Sequence, residues 1–237
     1  MTKEIDVSQP IRTSWIEIAP GFAGCLALPP AGRGPGLVLF QEIFGVNEHI
    51  RAVAEQYALD GFVVLAPDVF WRQAPRVELG YEGADRARAI ELMTAYSAGP
   101  DVLADIAAAV ATLKSRPEVA SAKAGAFGYC MGGRLAYLAA ATAGVDAAVA
   151  FYGGGIHKQL ERAAAIACPI QFHYAAIDDN IPPEAVESVR RALPAAEVHV
   201  YPGAHHGFNC WARGAYHAPS AALAHGRALA FLAQALF

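Results

Sequence analysis

The sequence predicts an α/β fold with a mostly parallel sheet and helices on both faces. Apolar, strand-like runs alternate with helical patterns from about residue 35 to the last residues, which is the order typical of parallel sheets. Most of these runs are almost continuously apolar, as expected for strands buried on both faces. The chain has 237 residues, of which 55% are hydrophobic, so we expect a single domain over residues 1–237 with one substantial core.

Eight strands are predicted, and the first two read as an antiparallel hairpin at one edge of the sheet. The predicted strands are Trp15–Ile18, Gly21–Leu28, Leu37–Phe40, Phe62–Ala66, Ala124–Phe127, Ala147–Phe151, Ile170–Tyr174 and Glu197–Tyr201.

Seven helices are predicted between and after these strands. They are Glu48–Leu59, Ala84–Ser97, Asp101–Ser115, Gly132–Ala143, Lys158–Ile166, Pro183–Leu193 and Ser220–Leu236. Asn47 and Ser220 stand where N-cap residues are expected, and Pro183 suits a first helical turn. The stretch 70–83 is the longest connection without periodicity, and we expect a loop over the functional site there.

Composition excludes several classes of function. The net charge of −4 gives no electrostatic basis for binding nucleic acid, and no run reaches the roughly 18 apolar residues that span a membrane. The first residues are polar and unlike a signal peptide. The four cysteines show no zinc-type spacing, and they are Cys25, Cys130, Cys168 and Cys210. We therefore expect a cytoplasmic protein with reduced thiols, no metal and no cofactor.

The segment 128–133, Gly-Tyr-Cys-Met-Gly-Gly, has the spacing of a nucleophile elbow with Cys130 at the reactive position. A predicted strand leads into it and a predicted helix leads out. Glycines two residues either side of Cys130 suit so tight a turn, and the helix N-terminus favours thiolate over thiol. A structural turn with a buried cysteine would show the same spacing, but the strand and helix around it favour a nucleophile.

An acid and a histidine follow in the order that such nucleophiles use, each after a later predicted strand. Asp178 and Asp179 follow the strand that ends at Tyr174, and His205 and His206 follow the strand that ends at Tyr201. Ligands bind at this edge of open α/β sheets. Spacing alone leaves both aspartates open. The context His-Gly-Phe favours His206, because Gly207 leaves room beside an imidazole.

The loop after the strand Leu37–Phe40 is the second informative segment. In folds of this kind it supplies one backbone N–H of an oxyanion hole, and the residue after the nucleophile supplies the other. Ile43 and Met131 are the candidates. Glu42 lies between apolar neighbours, so we expect it to be half buried, with a raised proton affinity, and able to interact with a thiol.

These residues together resemble the dienelactone hydrolase (carboxymethylenebutenolidase) family of α/β hydrolases. The resemblance runs from about residue 10 to the end. It rests on segments 41–47, 66–70, 72–75, 128–133, 151–153 and 206–208. It implies the α/β-hydrolase fold and a triad of Cys130, Asp178 and His206, with Glu42 helping to deprotonate the thiol. Tyr152, in the motif Phe-Tyr-Gly, is expected at the substrate.

One position departs from the family pattern. Where an arginine is expected to hold a substrate carboxylate, four residues after His206, this chain has Cys210. For a second family arginine the nearest matches are Arg86, which we prefer, and Arg88, whereas Arg213 could replace the missing charge.

The sequence thus predicts a hydrolase that cleaves a small-molecule lactone or activated ester through an acyl-enzyme intermediate. General carboxylesterase or thioesterase activity on the same fold is an alternative. A non-catalytic, ligand-binding relative is another, although such a protein would have no need of all three triad residues.

Overall fold

A computed structural model of the chain describes residues 11–237, and its centre is an eight-stranded sheet. The strand order across the sheet is β1-β2-β4-β3-β5-β6-β7-β8. The strands are β1 Arg12–Ala19, β2 Phe22–Leu28, β3 Gly34–Phe40, β4 Val63–Pro67, β5 Val119–Tyr129, β6 Ala147–Phe151, β7 Ile170–Ile177 and β8 Glu197–His205.

The sheet is parallel except at one edge. Strands β4, β3, β5, β6, β7 and β8 pair in parallel, whereas β1 pairs antiparallel with β2 and β2 antiparallel with β4. The predicted edge hairpin is therefore confirmed, with Trp15 opposite Cys25 in its register. The carboxyl ends of β3, β5, β7 and β8 all reach the same edge of the sheet, because parallel strands run in one direction.

Six α-helices accompany the sheet, and two short 3-10 helices follow β6. The α-helices are α1 Glu48–Leu59, α2 Gly83–Ala98, α3 Val102–Lys114, α4 Met131–Thr142, α5 Pro183–Ala192 and α6 Ala218–Leu236. The 3-10 helices are Ile156–Lys158 and Leu160–Ala165.

Two predictions about helices were wrong in detail. A helix was expected over Lys158–Ile166, but Gln159, with φ −134° and ψ 28°, interrupts the helical backbone there and divides it into two 3-10 turns. Helix α6 begins earlier than predicted, with His217 at its N-cap, and Ser220 is hydrogen-bonded to His217 Nδ1 at 2.7 Å. Asn47 caps α1 as predicted, since its side chain accepts a hydrogen bond from the N–H of Ile50.

Helices cover both faces of the sheet, as predicted. Contacts at β3 and β5 show this, because residues that are adjacent along a strand, such as Gly36 and Leu37, point to opposite faces of the sheet. Leu113 of α3 packs over Gly36, and Leu236 of α6 packs over Gly125, which pairs with Leu37 on the other face. The core between these layers is apolar and contains many fully buried aromatic rings. Within residues 11–237, no helix is both long and apolar enough to cross a membrane.

Candidate active site

Cys130 lies in a sharp turn between β5 and α4. Its backbone has φ 56° and ψ −116°, in a region where residues other than glycine are uncommon. Hydrogen bonds hold the turn on both sides, from Cys130 N–H to the carbonyl of Phe151 at 3.0 Å and from Gly133 N–H to the carbonyl of Cys130 at 3.0 Å. The thiol is half-buried at the N-terminus of α4, where the helix dipole stabilises a negative charge.

The glycines around Cys130 allow the turn to pack against the end of β3. A Cβ atom at Gly132 would collide with the carbonyl oxygens of Phe40 and Gln41, and one at Gly128 would collide with the backbone of Gly132. Only glycine therefore fits these positions. The close packing places the N-terminus of α4, where Met131 is the first residue, beside the loop that carries Ile43.

His206 and Asp178 meet at the carboxyl ends of β7 and β8. His206 Nδ1 lies 2.8 Å from Asp178 Oδ2, and the Asp178 side chain is fully buried. The other carboxylate oxygen of Asp178 accepts the N–H of Asn180 at 2.9 Å. With Nδ1 occupied, the second ring nitrogen of His206 is left for an interaction with Cys130, whose charge acts on the imidazole. The structure thus brings the three side chains together.

The residues adjacent in sequence to Asp178 and His206 lie on the surface. Asp179 and His205 are both exposed, whereas the side chain of His206 is only 13% exposed. The structure therefore places Asp178 and His206, and not Asp179 and His205, towards Cys130.

The ordinary pKa of His206 is strongly changed by this environment. Burial alone would lower it, but the negative charges of Cys130 and Asp178 and their hydrogen bonds outweigh burial and raise the pKa of His206 to about 10. These interactions favour the charged, imidazolium form of His206.

Glu42 is fully buried, and not half buried as predicted, and it is paired with a cation. Its Oε1 accepts a hydrogen bond from Arg213 Nη1 at 3.0 Å, and the Cys210 thiol lies nearby. Among residues 11–237, the side-chain hydrogen-bond partner of Glu42 is Arg213 and not Cys130. Burial raises the pKa of Glu42, and the charges of Arg213 and His206 offset part of that increase.

Tyr152 forms an aromatic wall beside the histidine. Its ring makes an edge contact with His206, with 5.1 Å between ring centroids, and another with Phe208 at 5.4 Å. The backbone of Tyr152 has φ 36°, and its N–H donates to the carbonyl of His173 at 2.7 Å. The hydroxyl is buried and has no hydrogen-bond partner within the described chain.

The candidate arginines differ in their surroundings. Arg86 is exposed on α2, and Arg88 on the same helix pairs with Glu91 at 3.0 Å. Arg213, by contrast, is largely buried, and its guanidinium lies 5.6 Å from the ring centroid of Phe44. The structure therefore brings Arg213 into the cluster around Glu42 and leaves Arg86 on the surface.

The long connection before α2 lies against the loop after β3, as the prediction of a loop over the site requires. Gly45 forms a β-bridge with Glu78, and a Cβ atom at Gly45 would collide with the carbonyl of Val77. Tyr81, at the end of the connection, packs its ring against Phe44 with 4.6 Å between centroids. This close approach anchors the connection beside Glu42.

Sequence reasoning missed two residues of this cluster, His49 and Tyr81. His49 is 3% exposed and faces inward with Val53 and Tyr57 on the buried stripe of α1. That spacing of four residues is visible in the sequence and could have shown that His49 is buried. Tyr81 carried no comparable signal, because its contacts depend on the path of an irregular loop.

Comparison with known proteins relates the whole arrangement to one family. The dienelactone hydrolase family model matches residues 22–236. The carboxymethylenebutenolidase of Pseudomonas sp. strain P51 is 38% identical over 188 residues, covering 78% of each chain. That of Pseudomonas putida is 35% identical over 216 residues, covering 90% of this chain and 91% of the other.

A solved structure shows the same relationship in three dimensions. A dienelactone hydrolase-type protein of Klebsiella pneumoniae superimposes with a TM-score of 0.84 at 31% identity, covering 95% of this chain and 100% of that one. The family model covers far more than half of the sequence, and the α/β-hydrolase sheet order and the elbow at Cys130 agree with it. The chain belongs to the dienelactone hydrolase family and is a hydrolase.

Proposed function

We propose that this hydrolase cleaves a lactone or activated ester of a small molecule through an acyl-enzyme intermediate on Cys130. The observation that carries the proposal is the hydrogen bond between His206 and Asp178, with Cys130 close to His206 at a nucleophile elbow. A nucleophile, a base and a group that orients the base are what acyl transfer needs. No cofactor takes part in the proposed reaction.

In the acylation step the Cys130 thiolate attacks the ester carbonyl and forms a bond from sulfur to carbon. The carbonyl oxygen becomes negative, and the N–H groups of Ile43 and Met131 donate to it. When the intermediate collapses, the bond from carbon to the alcohol oxygen breaks. The imidazolium of His206 gives its proton to that oxygen, and for a lactone the alcohol stays attached to the acyl group.

In the deacylation step His206 takes a proton from water, and the hydroxide attacks the thioester carbonyl. Collapse of the second intermediate breaks the bond between carbon and Cys130 sulfur and releases the carboxylic acid. Asp178 keeps the imidazole in one orientation and stabilises its charged form throughout. The free thiolate and imidazolium are restored.

We propose that Glu42 links substrate binding to activation of the thiol. Its carboxylate is held by Arg213 in the free enzyme and has one oxygen without a partner. A substrate carboxylate that takes the hydrogen bonds of Arg213 would release Glu42. A released and buried Glu42 has the raised proton affinity needed to accept the thiol proton of any Cys130 that is protonated.

Arg213, Arg86 and Tyr152 are the proposed substrate contacts. The support for Arg213 is its buried charge in the cluster, and the support for Tyr152 is its ring contact with His206. Arg86 stays a proposal from the family resemblance. The four cysteines are free thiols, which fits the cytoplasm that we propose as its location.

The test is hydrolysis of cis- and trans-dienelactone beside simple aryl esters, combined with mass spectrometry of the His206→Asn variant. We expect a substrate-derived mass on the peptide that contains Cys130, because loss of the base slows deacylation. Turnover of aryl esters without lactones would favour a general esterase. Ligand binding without turnover or adduct would favour a non-catalytic relative, and an adduct on another residue would contradict the mechanism.

A further inference from the structure

Three buried side chains with metal-binding chemistry meet next to the proposed active site. Glu42 from the loop after β3, His49 from α1 and Cys210 after β8 each present one donor atom, and these atoms all lie within 4.8 Å of one another. The exposed fractions of the three residues are 1%, 3% and 0%. They come from three separate segments of the chain, so the fold and not the local sequence creates the cluster.

The cluster contains polar atoms whose bonding capacity is unused. Neither ring nitrogen of His49 has a hydrogen-bond partner in the described part of the chain, and the same is true of Glu42 Oε2. A buried polar atom without a partner destabilises the folded state, and a ligand that bonds to it removes that cost. An imidazole nitrogen without a hydrogen-bond partner is available to a metal ion.

We propose that Glu42, His49 and Cys210 bind a zinc ion or a similar thiol-preferring divalent cation. Thiolate sulfur, imidazole nitrogen and carboxylate oxygen are the donors that zinc takes in proteins, and catalytic or exchangeable sites use three of them with water in the fourth position. Tetrahedral zinc would place such donors about 3.4–3.6 Å apart, which follows from the usual bond lengths. The donors therefore need to move together by only about 1 Å from their present separation.

The charges around the cluster are compatible with a divalent cation. On binding, the Cys210 thiol gives its proton to solvent and its sulfur bonds to the metal. Thiolate and carboxylate then contribute two negative charges, and the Arg213 guanidinium opposes them with one positive charge. That guanidinium is bonded to Oε1 of Glu42, which leaves Oε2 free for the metal.

A cleft open to solvent reaches the cluster at His49. It has a volume of about 470 Å³ and is lined by His49, Tyr81 and Trp211, among others. The Tyr81 hydroxyl lies 3.5 Å from Cys210 Sγ and accepts a hydrogen bond from Asn47 at 3.0 Å. The cluster thus lies behind the wall of an open cleft, of which His49 forms a part.

The same site would regulate hydrolysis, and this part rests on the proposed function. A metal on Glu42 removes the carboxylate that we propose as the proton acceptor for Cys130. We therefore expect the cation to inhibit ester hydrolysis in wild type and to inhibit the Cys210→Ala variant much less.

The test uses Co²⁺ and Zn²⁺ on the Cys130→Ala protein, so that the reactive thiol cannot bind them. We expect one equivalent of Co²⁺ to produce a thiolate-to-cobalt charge-transfer band and visible bands of tetrahedral cobalt. A further Cys210→Ala change should remove the charge-transfer band. It should also weaken Zn²⁺ affinity, measured against a chromophoric chelator, by more than about 100-fold. Loss of a residue that only hydrogen-bonds to a metal ligand already lowers metal affinity by about 10- to 100-fold.

The matched control is Cys168→Ala in the same background, because Cys168 is a half-buried free thiol outside the cluster. It should leave both readouts unchanged, and His49→Phe should weaken zinc binding as Cys210→Ala does. Apo-protein circular dichroism and melting curves check folding, and Zn²⁺ should raise the melting temperature only where Cys210 and His49 are present. Absence of binding, or a band that survives Cys210→Ala, overturns the metal site. Metal binding without any hydrolase activity would contradict the proposed function alone.

Discussion

Arg213 and Glu42 form a buried ion pair across 171 positions of sequence, with Nη1 donating to Oε1 at 3.0 Å. The exposed fractions of the two side chains are 21% and 2%. A buried carboxylate without its partner would be strongly destabilised, and the charge of Arg213 offsets part of the cost of burying Glu42. The pair brings the segment after β8 to the loop after β3 and so joins two walls of the site.

Cys130→Ala should abolish hydrolysis and leave the fold intact. Loss of a nucleophile in a triad costs about 10³-fold or more in turnover, while a thiol at a half-buried turn adds little to packing. Turnover of p-nitrophenyl acetate and the melting temperature are the two measurements. A variant that keeps more than about a tenth of wild-type turnover would show that Cys130 is not the nucleophile.

Paired substitutions distinguish the triad residues from their neighbours. His206→Asn and Asp178→Asn should each lower kcat by about 10²-fold or more, because the base or its orientation is lost. His205→Asn and Asp179→Asn should change kcat by less than about 2-fold, as is usual for exposed side chains. Steady-state kinetics of the four variants on one ester provides the comparison, and a larger loss from His205 or Asp179 would reverse the assignment.

Glu42→Gln should lower the rate of acylation by about 10²-fold, because an amide cannot accept the thiol proton. Glu42→Asp keeps the carboxylate and should be partly tolerated. Single-turnover acylation measures the effect, and iodoacetamide labelling of Cys130 in the absence of substrate serves as the control. Unchanged acylation in Glu42→Gln would leave Glu42 as a structural partner of Arg213 only.

Substrate charge tests the arginines. Arg213→Gln should raise KM about 10- to 100-fold more for an ester that bears a carboxylate than for its neutral amide analogue, because a charge-assisted hydrogen bond is lost. Arg86→Gln is the matched variant at the exposed candidate, and it should affect both esters alike if Arg213 holds the carboxylate. The opposite pattern would give that role to Arg86.

His173 should make the fold sensitive to acid. Burial, with the charges of His199 and Arg227, lowers its pKa well below the usual value, and its nitrogens bond Tyr201 and Gln171 at 2.7 Å each. In the unfolded chain His173 binds a proton as the pH falls through about 6.5, whereas in the folded state it stays neutral. The free energy of unfolding therefore falls as the pH drops below that value.

The His173→Gln variant removes this proton uptake. It should be less stable than wild type at pH 8, because ring contacts and hydrogen bonds are lost, yet its stability should fall less steeply between pH 6.5 and pH 5. Each proton accounts for about 1.4 kcal/mol per pH unit. Urea unfolding at several pH values measures the slope, and the exposed His205→Gln should keep the wild-type slope.

The fold was predictable because its signals are local and repeated. Continuous apolar runs mark strands such as Ala147–Phe151, whose predicted bounds match the structure, and the elbow at Cys130 is a pattern of adjacent residues. The contact between His206 and Asp178 could be expected because both follow strands that end at one edge.

Other features of the site could not be predicted from local patterns. The pairing of Glu42 with Arg213, and the approach of His49 and Cys210 to it, depend on three segments that meet only after folding. Contacts between such distant segments produce no periodic pattern in the sequence, and the cysteines have no metal-binding spacing along the chain. The break in the helical backbone at Gln159 was also not predicted, because the composition of that segment is compatible with an α-helix.

The order of the strands also affects when the enzyme can become reactive during its synthesis. The segment with Cys130 leaves the ribosome first, whereas Asp178 and His206 follow β7 and β8 at the far side of the sheet. Among the described residues β8 lies at the edge of the sheet and pairs with β7. On the mechanism that we propose, Cys130 is therefore synthesised before its base, and acyl transfer requires that β8 has joined the sheet.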